Sequence, residues 1–126
     1  MTFYSSNIHL VFIASLLNLL IQNCFAEGVL MESAPKDNAV ISTLTFNKKI
    51  TLAFSGNVSE RTPSLVVVDS TGTRVDMQDA TLVIGDRSIL SASTIDLAPG
   101  RYAIRYRVVT KDGLIVSGIS RFEIKA

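Results

Sequence analysis

The chain has one Cys, Cys24, and one His, His9, and both precede residue 27. Whatever residues 27–126 do, they do without a thiol or an imidazole. That excludes a disulfide, a zinc site of the common type and a His- or Cys-based catalytic centre from this stretch. Serines are plentiful, but no Gly-x-Ser-x-Gly occurs and no His stands ready to activate one. No nucleophile–base pair can be assembled, so an enzyme is not expected. The remaining candidates for metal chemistry are carboxylates and two methionines. Asp69, Asp76, Asp79 and Asp86 lie in or beside turns, where they could form a weak calcium site. Their spacing is not that of an EF-hand, and Asp in turns ordinarily bonds its own backbone, which is the expected role here. Met31 and Met77 are 46 positions apart, unlike the clustered soft donors that suit Cu(I), and each reads as core or surface filler. One carboxylate has a more suggestive setting. Asp112 and Gly113 form a strong turn signal between two strand-like runs, and Leu114 follows directly. A large apolar side chain there should sit at the wet end of a sheet, and a hairpin does not ask for one.

The elements that would position Asp112 begin after an export segment. Leu10 to Ile21 is an apolar run broken by Ser15 and Asn18, followed by Cys24-Phe25-Ala26 before Glu27. The run is shorter than the ~20 apolar residues of a membrane helix, and Cys-Phe-Ala fits a small-x-small cleavage site. Residues 1–26 therefore read as a cleaved secretory signal peptide, and residues 27–126 as one small domain with a single core and no transmembrane segment. Gln22 and Asn23 are too bulky and polar for a lipid-modification site at Cys24. An exported domain without disulfides fits a bacterial periplasm. Twelve Lys and Arg against eleven Asp and Glu leave a formal net charge of +1, which argues against a nucleic-acid binder.

Within the domain, short strand-like runs alternate with turn clusters. Strands are expected at 29–32, 49–54, 64–69, 81–84, 88–95, 101–109 and 115–124, with turns at Pro35–Asn38, Ser70–Thr73, Gly85-Asp86 and Leu97–Gly100. Seven or eight strands at this spacing predict an all-β antiparallel sandwich with Greek-key connections. In the last two strands, Tyr102, Ile104, Tyr106 and Val108 share a face with Val116, Phe122 and Ile124. Arg101, Arg105, Arg107, Arg121 and Glu123 lie on the other. Directly opposed residues of an antiparallel pair share a face, so even numbers pair with even numbers and the connecting loop holds an odd number of residues. A three-residue loop of Asp112, Gly113 and Leu114 satisfies this and makes Leu114 a loop-tip residue. The arginine face reads as a solvated sheet surface that could also dock an acidic partner, a phosphate or a lipid head group.

Several segments in order resemble the CopC-type periplasmic copper-resistance proteins. They are Ser33-Ala-Pro35, Phe54-Ser-Gly56, Leu97-Ala-Pro-Gly-Arg-Tyr102, and Tyr106-Arg-Val-Val109 leading through Asp112-Gly113 to Val116-Ser-Gly118. The resemblance implies an Ig-like or cupredoxin-like sandwich and a copper-homeostasis role rather than catalysis. It also implies a Cu(II) site built from a His as first mature residue, a His directly after Asp-Gly, and a neighbouring acid. Here the first position falls on Glu27, the second on Leu114 and the acid on Asp112, while Val29 stands where an additional His is often found. The metal set carried over is thus Glu27 and Asp112, an oxygen-rich pair that should bind copper weakly, because Cu(II) prefers imidazole and amine nitrogens. The implied partner is a periplasmic or inner-membrane copper-handling protein, and the implied state a monomer. A different reading of the same sandwich is a protein–protein interaction module that binds no metal.

Overall fold

The computed structural model describes residues 29–126, so the expected signal peptide and Glu27 lie outside the described residues. Eight strands follow in chain order: β1 (Leu30–Ala34), β2 (Ala39–Ser42), β3 (Lys49–Phe54), β4 (Ser64–Asp69), β5 (Thr81–Val83), β6 (Asp86–Ser93), β7 (Gly100–Val109) and β8 (Ile115–Lys125). They form two four-stranded sheets, β1-β3-β6-β5 and β2-β8-β7-β4, packed as a sandwich. β3 occupies the expected residues because large apolar side chains alternate with smaller or polar ones, and β4 because a run of three valines lies between Ser64 and the Asp69 turn. The core is the inner face of both sheets, with Ile50, Leu52, Leu65, Val67, Leu90, Ile104, Val108 and Ile124 closed to water.

Two features depart from the sequence expectation. β2 has no counterpart among the expected strands, and it pairs with β8 in parallel, Ala39 opposite Phe122 and Ser42 opposite Lys125, so the sandwich is not wholly antiparallel. Ala39–Ser42 is short and lies between turn residues. Only the finished edge of β8 gives its backbone a ladder to join. The second departure is at the hairpin tip, described with the site below.

Aromatic residues fasten the end of the sandwich remote from the Asp112 loop. Tyr102 donates its hydroxyl hydrogen to Ala98 O at 2.6 Å, tying the start of β7 to the Leu97–Gly100 turn. Its ring stacks on Phe122 at 5.5 Å, and Phe122 in turn stacks on Phe46 at 5.9 Å. Further along, Tyr106 meets Phe54 edge-on at 5.9 Å and lies opposite Gly118 in the register. A Cβ at residue 118 would fall 2.4 Å from the Tyr106 hydroxyl oxygen, so glycine is required there for lack of space.

Candidate metal centre

β7 and β8 meet in register with Val109 opposite Ile115 and Val108 opposite Val116. The loop is therefore odd in length and even residues face even residues, as the patterning requires. Its centre is one residue earlier than expected. Thr110 N–H donates to Leu114 O at 2.8 Å and Gly113 N–H to Thr110 O at 2.9 Å. The three-residue loop is thus Lys111, Asp112 and Gly113, and Leu114 closes it instead of standing at its tip. The reason is backbone chemistry: Gly113 has φ +85°, and a three-residue hairpin of this kind places its left-handed residue last.

The loop is held from below. Thr110 is buried, and its Oγ1 accepts the Leu114 N–H at 3.1 Å. Lys111 N–H donates to Asn57 O at 3.1 Å and Ser59 N–H to Val109 O at 2.7 Å, so the segment after β3 folds against the hairpin. Together they enclose an open hollow of about 330 Å³ lined by Ser55, Gly56, Asn57, Thr110, Lys111, Asp112 and Leu114. Ser55 N–H also bonds Val29 O at 3.0 Å, which brings the first described residue to the same end. The sequence singled out Asp112 and Leu114. It did not show that Asn57 and Thr110 position them, because those two act through backbone and hydroxyl contacts that carry no motif.

Among the described residues no group of three or more His, Cys, Asp or Glu could hold a metal ion. The hollow supplies one exposed carboxylate, Asp112, while Leu114, half exposed, adds no donor atom. The described residues at the hollow thus offer an oxygen donor and no imidazole, the ligand type that Cu(II) favours. Met31 and Met77 are both exposed, one on β1 and the other bonded through its N–H to Ser93 O at 2.8 Å beside β6. The four turn aspartates are spoken for locally. Asp69 accepts from Thr71 and Thr73, Asp79 from Ser93 N–H at 2.8 Å and Asp86 from Ser88, and these bonds lower each carboxyl below its usual value. Asp76 is engaged by Arg74 and by two backbone N–H groups.

The motifs that surround the hollow and those that fasten the far end now have physical roles, and comparison with known proteins gives the group they define. A family model described as the CopC domain matches residues 30–125. The chain belongs to the CopC domain family. CopC-domain proteins bind copper and are not enzymes. The sandwich is similar to the crystal structure of CopC from Methylosinus trichosporium OB3b, with 27% identity and a TM-score of 0.71, covering 79% of this chain and 94% of that one. It shares its fold with PcoC, a methionine-rich copper resistance protein from Escherichia coli, at 20% identity and a TM-score of 0.66, covering 79% of this chain and all of that one. No curated protein matches the sequence.

Proposed function

We propose that this CopC-domain protein serves copper resistance in the periplasm with a degenerate Cu(II) site that binds the metal weakly. The observation that carries the reading is Leu114, whose side chain lines the hollow at the position where the family resemblance puts an imidazole. Family membership supports the copper role, and the Leu10–Ile21 run with Cys24-Phe-Ala26 supports export. Glu27 stands two residues before Val29, whose carbonyl is tied to Ser55 at the rim of the hollow. By the family resemblance the Glu27 amine belongs beside the Asp112 loop, and two residues of chain, at most about 7 Å when extended, separate it from Val29. That amine and the Glu27 and Asp112 carboxylates are the donors available, a set with little selectivity for Cu(II).

The test is a Cu(II) titration of protein that begins at a free Glu27 amine, checked by intact mass. The wild type should show no tight stoichiometric site, whereas the double change Glu27→His and Leu114→His should create one. Acetylating the amine should abolish that gain. Tight binding by the wild type would overturn the degenerate site. A double variant that still binds weakly would mean that positions 27 and 114 do not converge.

A further inference from the structure

We propose that the outer face of the β2-β8-β7-β4 sheet docks this protein onto an anionic phospholipid surface. The proposal does not depend on copper binding and is tested without the metal. Strand alternation puts Arg101, Arg105 and Arg107 of β7 on this face with Arg121 and Lys125 of β8. Glu123 is the only carboxylate among the strand residues that share it. It is already shared, lying 3.6 Å from Arg101 Nε and 3.7 Å from Lys125 Nζ. Arg105, Arg107 and Arg121 form no ion pair among the described residues and remain available to an external anion. The rest of the described chain is the reverse, with seven Lys and Arg against nine Asp and Glu. A chain of nearly zero net charge thus gathers five of its twelve cations on a face with a single strand carboxylate.

The same face exposes apolar side chains between the arginines. Ile115, Ile119 and Val40 are 61%, 48% and 59% exposed, and one row across the sheet reads Val66, Arg105, Ile119. At its corner a depression of about 340 Å³ is lined by Val40, Arg101, Arg121 and Glu123, large enough to seat a phosphate group. Guanidinium groups hydrogen-bond phosphate oxygens in pairs, and interleaved isoleucines bury favourably at the head-group boundary. The β7 arginines are spread over about 20 Å of strand, at ~3.3 Å per residue, instead of converging on a point. Such a layout suits a plane of repeating phosphates better than a single acidic patch on a protein.

Co-sedimentation of residues 27–126, which contain the whole core, with lipid vesicles in the presence of EDTA tests this directly. Vesicles of phosphatidylglycerol and phosphatidylethanolamine should bind the protein, vesicles of phosphatidylcholine alone should not, and added salt should weaken the binding. Arg105→Glu with Arg107→Glu should reduce partitioning about tenfold or more. Ile119→Ser should reduce it at high as well as low salt. Lys49→Glu with Arg61→Glu makes the same change in net charge elsewhere and should leave binding close to wild type, with circular dichroism confirming that every variant is folded. Several results would overturn the proposal: no binding to the anionic vesicles, equal binding to phosphatidylcholine, or equal loss in both double variants. So would displacement by millimolar inorganic phosphate at constant ionic strength, which would indicate a free-anion pocket, or binding to polyglutamate in preference to vesicles, which would indicate an acidic protein partner.

Discussion

The Asp76 side chain is closed to water yet remains charged, because its partners surround it. Arg74 donates through Nε to Oδ1 at 2.8 Å and through Nη2 to Oδ2 at 2.9 Å. Val67 N–H adds a bond at 3.0 Å and Gln78 N–H one at 3.1 Å. Burial pushes the carboxyl pKa up, but Arg74 and the two backbone donors together outweigh burial and hold it below its ordinary value. A carboxyl lowered on folding contributes stability at neutral pH that is lost as pH falls through the folded value, here below about pH 4. Replacing Asp76 with Asn leaves the Arg74 and backbone donors short of acceptors and should cost about 2–3 kcal/mol at pH 7. It should also flatten the acid limb of stability, measured as urea midpoints between pH 7 and 2.5. An acid limb as steep as that of the wild type would show that Asp76 is not its source. Leu114 contrasts with Asp76. Being half exposed, its replacement by Ser should change stability by about 0.5 kcal/mol or less in the same urea assay.

At the scale of the elements, the β7–β8 hairpin carries most of the architecture, and its two ends respond to different changes. Phe122 is buried between Tyr102 and Phe46, so Phe122→Ala should cost about 3–5 kcal/mol by equilibrium unfolding. Gly118→Ala fails for the opposite reason. The added methyl meets the Tyr106 ring, which Phe54 holds from the other side, and overpacking should cost about 1–3 kcal/mol. Pairing Gly118→Ala with Tyr106→Phe, which removes the crowded hydroxyl oxygen, should recover part of that loss. No recovery would mean the glycine serves the backbone and not the ring. The hairpin also shows how far periodicity reaches. The alternation of Tyr102 through Val108 against Val116 through Ile124 settles which residues face the core and that the loop is odd. It is silent on whether the loop ends at Gly113 or Leu114, because either choice preserves parity. The left-handed backbone of Gly113 makes that selection.

For the whole molecule, one core shared by both sheets predicts a single cooperative unfolding transition, with tyrosine fluorescence and far-ultraviolet circular dichroism giving coincident urea curves for residues 27–126. The transition should be unchanged by dithiothreitol, since no Cys lies in that range. Separate transitions would mean that the two sheets are independent units. The all-β class, seven of the eight strands to within a residue or two at each end, the core face of the final hairpin and the want of imidazole or thiol donors are properties of the sequence itself. They depend on local alternation, turn residues and composition, which neighbours in space do not alter. Tertiary structure alone decided that Ala39–Ser42 becomes a parallel edge strand, that Asn57 and Thr110 brace the Asp112 loop, and that Val29 is tied to its rim. Each of these joins residues far apart in the chain through backbone hydrogen bonds or sheet order, and such pairings leave no pattern in a linear sequence.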